Sequence, residues 1–209
     1  MTLPKTFRKS MDRFIATYDY TDVAEGTGIV SFYAGVGEIS GADVYQINQN
    51  AFDIGQALTV SADYERSNII SVTPLFELSP FNLPKVVKGT FYTSFTTALD
   101  FSTAATTWKV RVRVYKNSTV IATEYTQTYT ADGADKIRTH LVPITIPQTN
   151  YKKGDVFKVD YFMMRSSGDS TVYIMHDTMN RDFDRTTPNV TAATNPTRLR
   201  IYIPFDLNL

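Results

Sequence analysis

Cysteine is absent from the 209 residues, which excludes a disulfide scaffold, thiolate zinc sites and cysteine nucleophiles together. Charge bias is missing as well. Lys plus Arg and Asp plus Glu number 21 each, so net charge does not draw the chain to nucleic acid or a membrane surface. No apolar run approaches the ~18–20 residues of a membrane span. The stretch from Met1 to Lys9 has no hydrophobic core of the secretory type. The expectation is a protein made and folded in a cytoplasm, without an anchor.

Catalytic signatures are sparse too. Glutamate occurs only at Glu25, Glu38, Glu65, Glu77 and Glu124, and the two histidines are His140 and His176. The Gly-x-Ser-x-Gly nucleophile turn is missing. Gly35-Val36-Gly37 has no third glycine three residues on and no helix pattern after it, so the dinucleotide-binding reading fails. No internal repeat is visible, which argues against propellers and solenoids. The triplets at Asn117 and Asn189 are expected as chance in a Thr-rich chain.

What the chain does have is strand pattern, and 43% hydrophobic residues to support a core. From Trp108 to Tyr115 apolar and charged residues alternate strictly. Trp108, Val110, Val112 and Val114 share one face; Lys109, Arg111 and Arg113 share the other. Lys116-Asn117-Ser118-Thr119 supplies a turn, and a second period-2 run follows from Val120 to Tyr129, so the stretch reads as a β-hairpin. Ile29–Ala34, Val44–Ile47, Ala57–Ala62, Ile69–Val72 and Val86–Phe95 read as further strands. So do Ile137–Ile146, Val156–Met164, Thr171–Met175 and a final run through Leu199, Ile201 and Ile203. Gly35, Gly37 and Gly41 are expected to punctuate a loop. Pro74, Pro80 and Pro84 mark Leu75 to Pro84 as an apolar connection, Pro147 closes the Ile137 strand, and Ser166 to Ser170 reads as a hairpin turn. The expected fold is all-β: an antiparallel β-sandwich of jelly-roll type over residues 20–209, preceded by a short N-terminal arm or helix over residues 1–19.

The order of elements from Lys88 to Phe183 resembles the jelly roll of viral structural proteins. It rests on the Gly89–Phe95 strand, the Trp108–Tyr129 hairpin, the Tyr151-Lys152-Lys153-Gly154-Asp155 turn and the Tyr161–Ile174 hairpin. The resemblance implies a non-enzymatic, capsid-associated subunit of decoration, turret or spike type, assembled on a virion in a host cytoplasm. Its expected partners are copies of itself in a ring or trimer, and other capsid proteins. No membrane partner and no cofactor are expected, and nucleic acid is not the expected partner. The alternatives are a carbohydrate-binding β-sandwich module and a single jelly-roll major capsid subunit. A hydrolase would require a carboxylate pair in a cleft.

Candidate site residues follow from these readings. Phe7, Met11, Phe14 and Ile15 are spaced to share one side of a short helix and, with Arg8, are the interface candidates. The four basic residues Lys5, Arg8, Lys9 and Arg13 are too few and too interrupted for a nucleic-acid arm. Tyr115, Tyr151 and Tyr202 are the glycan-stacking candidates under the carbohydrate alternative. Asp177, Asn180, Asp182 and Asp184 form a weak candidate loop for a hard cation. Its spacing does not match a calcium-binding loop, and Arg181 and Arg185 offer ordinary ion pairs, so no metal is assigned. His140 is expected as a half-buried packing residue and Trp108 as core.

Overall fold

The computed structural model describes residues 27–39, 42–51, 65–66, 75–99, 105–131, 137–167, 172–176, 178 and 198–206. These residues form no helix and twelve strands, an all-β, sandwich-like fold. The strands are β1 (Thr27–Ile39), β2 (Ala42–Asn48), β3 (Glu65–Arg66), β4 (Leu75–Leu78), β5 (Lys85–Leu99) and β6 (Thr106–Lys116). They continue with β7 (Thr119–Tyr125), β8 (Tyr129–Ala131), β9 (Ile137–Tyr151), β10 (Phe157–Ser167), β11 (Val172–Met175) and β12 (Leu199–Asp206).

Hydrogen bonding runs in the order β3-β11-β5-β12-β1-β2-β4-β10-β6-β7, with β8 on β6 and β9 on β5. All pairs are antiparallel except β2 with β4, so the sheet is mixed. It folds over on itself. The β5–β12–β1 part faces the β10–β6 part, with Phe91 against Phe157 and Phe95 against Tyr161. The alternation in β6 decides which side is inside. Trp108, Val110, Val112 and Val114 are all buried, as are Phe157, Val159, Tyr161 and Met163 of β10 and Leu199, Ile201 and Ile203 of β12. Each such side chain contributes about 1.5–3 kcal/mol by leaving water.

The β6–β7 turn is as expected, with Asn117 at φ 54, a left-handed conformation that asparagine tolerates in tight hairpins. The strand after it is shorter than the Val120–Tyr129 run. Thr126 breaks it: its hydroxyl accepts the Val110 N–H at 2.9 Å and donates to the Gln127 carbonyl at 2.9 Å, so a side chain replaces a ladder bond. The chain then rejoins β6 as β8.

Four expectations are corrected. Gly35 and Gly37 lie within β1, paired with Gln46 and Val44, rather than in a loop. Leu75–Leu78 is a strand between β2 and β10 with Phe76 fully buried; the prolines at 80 and 84 fall after it. β9 continues through Pro143 and Pro147 to Tyr151, because it pairs with β5 on one side only and an edge strand needs no second donor. Pro147 sits where the register shifts between Val87 and Gly89, and Gly89 supplies the φ of 111 that this bulge requires. Finally, β10 and β11 are not a hairpin. β11 pairs with β5 and β3, so the chain crosses between layers there.

Candidate functional site

The register of β6 against β10 builds one polar cluster. It sets Arg113 opposite Asp160 on the outer face. The Arg113 Nε donates to Oδ1 at 3.2 Å and Oδ2 at 2.8 Å, and Nη2 donates to Oδ2 at 2.5 Å. The Tyr115 hydroxyl donates to the same Oδ2 at 2.5 Å. Asp160 is only 2% exposed, and a buried carboxylate is tolerable because a side-on guanidinium and a phenol satisfy it. The hydrogen bond to Asp160 raises the Arg113 pKa. Burial, then the hydrogen bond to Asp160, pushes the Tyr115 phenol up to about 12, so it stays protonated at neutral pH. With its oxygens committed in this way, Asp160 is not free to act as a general base.

Around this cluster the outer face is a ladder of cations over rings. Lys109 lies 4.9 Å from the Tyr125 ring, Arg111 4.6 Å from Phe162 and Arg113 5.4 Å from Tyr115. Two ion pairs close its lower end: Lys158 with Glu77 at 2.5 Å and Lys116 with Asp155 at 3.1 Å. Asp155 also accepts from Asn117 Nδ2 and the Lys152 N–H, and these bonds bring its pKa down to about 2.

His140 lies inside the sandwich at 4% exposure, deeper than the half-buried position expected. Its Nε2 meets the Thr97 hydroxyl at 2.8 Å, and its ring stacks on Phe95 at 4.9 Å with Tyr129 edge-on at 5.1 Å. Burial, with the nearby Arg138 charge second, lowers its pKa to about 4, so the ring is neutral at physiological pH. This is a packing histidine and not one half of a nucleophile–base pair. His176 is buried near Phe76, with ring centroids 6.2 Å apart.

The three glycan-stacking candidates are not brought together. Tyr115 is held by Asp160. Tyr151 is 1% exposed, its ring against Phe81 at 5.0 Å and its hydroxyl donating to the Tyr115 carbonyl at 3.2 Å. It cannot stack on a sugar, and this corrects its assignment. Phe81 covers it because Phe81 is clamped by backbone bonds to Gly154 and Asp155, contacts that a local pattern does not reveal. Tyr202, like Tyr115, is half-buried on an outer face, but on β12 and so on the other layer of the sandwich. Phe7, Arg8, Met11, Phe14 and Ile15 lie outside the described residues, as do Asp177, Asn180, Asp182 and Asp184. Among the described residues no group of three His, Asp or Glu side chains is placed to hold a metal ion. The residue that sequence reasoning missed is Asp160. The only signal for it was a carboxylate at a wet-face position of β10, and that gains meaning only from the register with Arg113.

No protein-family profile matches the chain, and no curated protein matches it. Solved structures do. A CocE/NonD family hydrolase from Staphylococcus aureus matches at 9% identity and a TM-score of 0.52, over 85% of this chain and 37% of that one. An aminopeptidase from a marine sediment Thaumarchaeota archaeon matches at 9% identity and a TM-score of 0.40, over 64% of this chain and 26% of that one. The chain therefore spans well under half the length of these hydrolases. The fold is shared with part of the CocE/NonD family hydrolase. This overturns the expectation of a non-enzymatic decoration, turret, spike or major capsid subunit on a virion, which rested on the order of strands alone.

Proposed function

We propose that this chain serves in a hydrolytic enzyme, as the β-sandwich part of it. One observation carries the reading: 85% of the chain shares its fold with 37% of a CocE/NonD family hydrolase at a TM-score of 0.52. Hydrolysis of an ester or amide needs an activated nucleophile and donors for the developing oxyanion. In the described sandwich the Asp160 oxygens are taken by Arg113 and Tyr115, and His140 Nε2 is taken by Thr97. These groups hold strands together. The cleaving groups, in this reading, lie outside the described residues.

The test assays two preparations against panels of acyl nitrophenyl esters and aminoacyl nitroanilides. One is the purified recombinant chain. The other is the tagged chain isolated at native level from the cells that make it. Saturable turnover by the recombinant chain places the cleaving groups within it. Turnover by the isolate only, lost after a high-salt wash, places them on a bound enzyme. Failure of both preparations to turn over either panel overturns the reading.

A further inference from the structure

The cations on the β6–β10 outer face fall into two groups. Toward the Lys116 end each has a carboxylate: Arg113 pairs with Asp160, Lys116 with Asp155 and Lys158 with Glu77. Toward the other end, Lys109 and Arg111 meet no carboxylate among the described residues. Glu124 on β7 is turned to its own neighbour and accepts the Tyr125 N–H at 3.0 Å. Lys109 and Arg111 lie against rings instead. The register sets Tyr125, Arg111 and Phe162 in one cross-strand row, with Lys109 and Met164 in the next. The Arg111 guanidinium lies 4.6 Å from the Phe162 ring centre, and the Lys109 ammonium 4.9 Å from that of Tyr125. Stacking uses the flat face of a guanidinium and leaves its in-plane N–H donors in need of acceptors. The Arg111 Nε is buried and has no acceptor. Arg113, two residues on, shows the contrast, since Asp160 takes both its Nε and its Nη2.

We propose that the Lys109 end of this face binds an oxyanion, the carboxylate or phosphate group of a small ligand. Arg111 is partly exposed, and the two Nη groups at its tip form the fork that matches two oxygens of such a group. Lys109 stands two residues away on the same face, ~7 Å along the strand, within reach of the same anion on its flexible stem. The Tyr125 ring, 45% exposed, offers an apolar flank for the body of the ligand. Charge selects this occupant. A cationic ligand would meet two like charges, and a neutral one would leave both unmatched. With the other cations of the face already paired, two charges are too few for the phosphate track of a nucleic acid. One anionic group is what they fit.

Nuclear magnetic resonance titration of the isotope-labelled full chain at constant ionic strength tests this. The probes are inorganic phosphate, benzoate and the uncharged isostere of benzoate, benzamide. At least one of the two anions is expected to shift the Lys109, Arg111 and Tyr125 signals saturably, and the tighter binder names the group the site takes. Benzamide should shift none of them. Arg111→Gln should weaken anion binding about tenfold or more, and Lys109→Gln should weaken it severalfold. Lys158→Gln, at the paired end of the same face, should leave it unchanged. No saturable shift with either anion overturns the proposal. So does binding that Arg111→Gln and Lys109→Gln both leave intact, or benzamide binding as tightly as benzoate.

Discussion

The hydroxyls of Thr93 on β5 and Tyr161 on β10 meet at 2.6 Å inside the core, a polar bond joining the two layers of the sandwich. Thr93 also donates to the Arg200 carbonyl at 3.1 Å, so one side chain ties three strands. Burial pushes the Tyr161 phenol well above its usual pKa, which keeps its proton available for that bond.

Removing either hydroxyl should therefore have unequal effects. Thr93→Val leaves the fully buried Tyr161 hydroxyl without a partner, and an orphaned buried hydroxyl costs about 1–3 kcal/mol. Tyr161→Phe leaves Thr93 its bond to Arg200 and should cost less. Urea denaturation of both single variants and the double variant checks this. A double variant less stable than Thr93→Val alone would show that the bond is not the source of the effect.

Asp160→Asn should leave Arg113 facing a neutral amide. Losing one partner of a buried pair costs about 3–5 kcal/mol. Arg113 keeps 29% side-chain exposure, and solvent screening there brings the expected cost below that range, to about 2–3 kcal/mol. The Tyr115 phenol, held up at about 12, should then titrate closer to its ordinary value, because two of its three upward influences come from Asp160. Ultraviolet difference titration reads this directly, and an unmoved Tyr115 would mean that burial alone sets it.

His140 makes stability depend on acidity. Its folded pKa of about 4 lies below the ordinary 6.5, so between these values the unfolded chain binds more protons. Stability should fall as pH drops from about 6.5 toward 4, by an amount of order 2 kcal/mol. Asp155 adds a second loss further down, as pH falls from its ordinary 3.8 toward about 2. Thermal melts of the wild type and His140→Gln across this window should diverge in slope, the variant being flatter. Parallel curves would remove His140 as the cause.

Gly154 turns the chain between β9 and β10 at φ 89, with nothing within 4 Å of where a Cβ would sit. Gly154→Ala should thus cost only backbone strain, about 1–2 kcal/mol. A lowered melting temperature with unchanged spectra is the expected result. An unchanged melting temperature would mean that the turn relaxes.

Strand periodicity was legible because it is local. Trp108 to Val114 and Leu199 to Ile203 alternate with their wet neighbours, and burial against water alone demands that pattern whatever the partner strand is. For the same reason the absence of cysteine, of a net charge and of a nucleophile turn could be read straight from the residues.

Pairing and register were decided only in three dimensions. Nothing near Met175 says that β11 joins β5 rather than β10, and Pro147 stops a central strand but not an edge one. Tyr151 looked like an exposed turn residue until Phe81 closed over it. Asp160 became the centre of a cluster only because β10 sets it opposite Arg113. Alternation states which side of a strand turns from water and is a property of neighbours in the chain. A contact between strands depends on the balance of packing and hydrogen bonding across the whole sheet, which no single stretch of sequence contains.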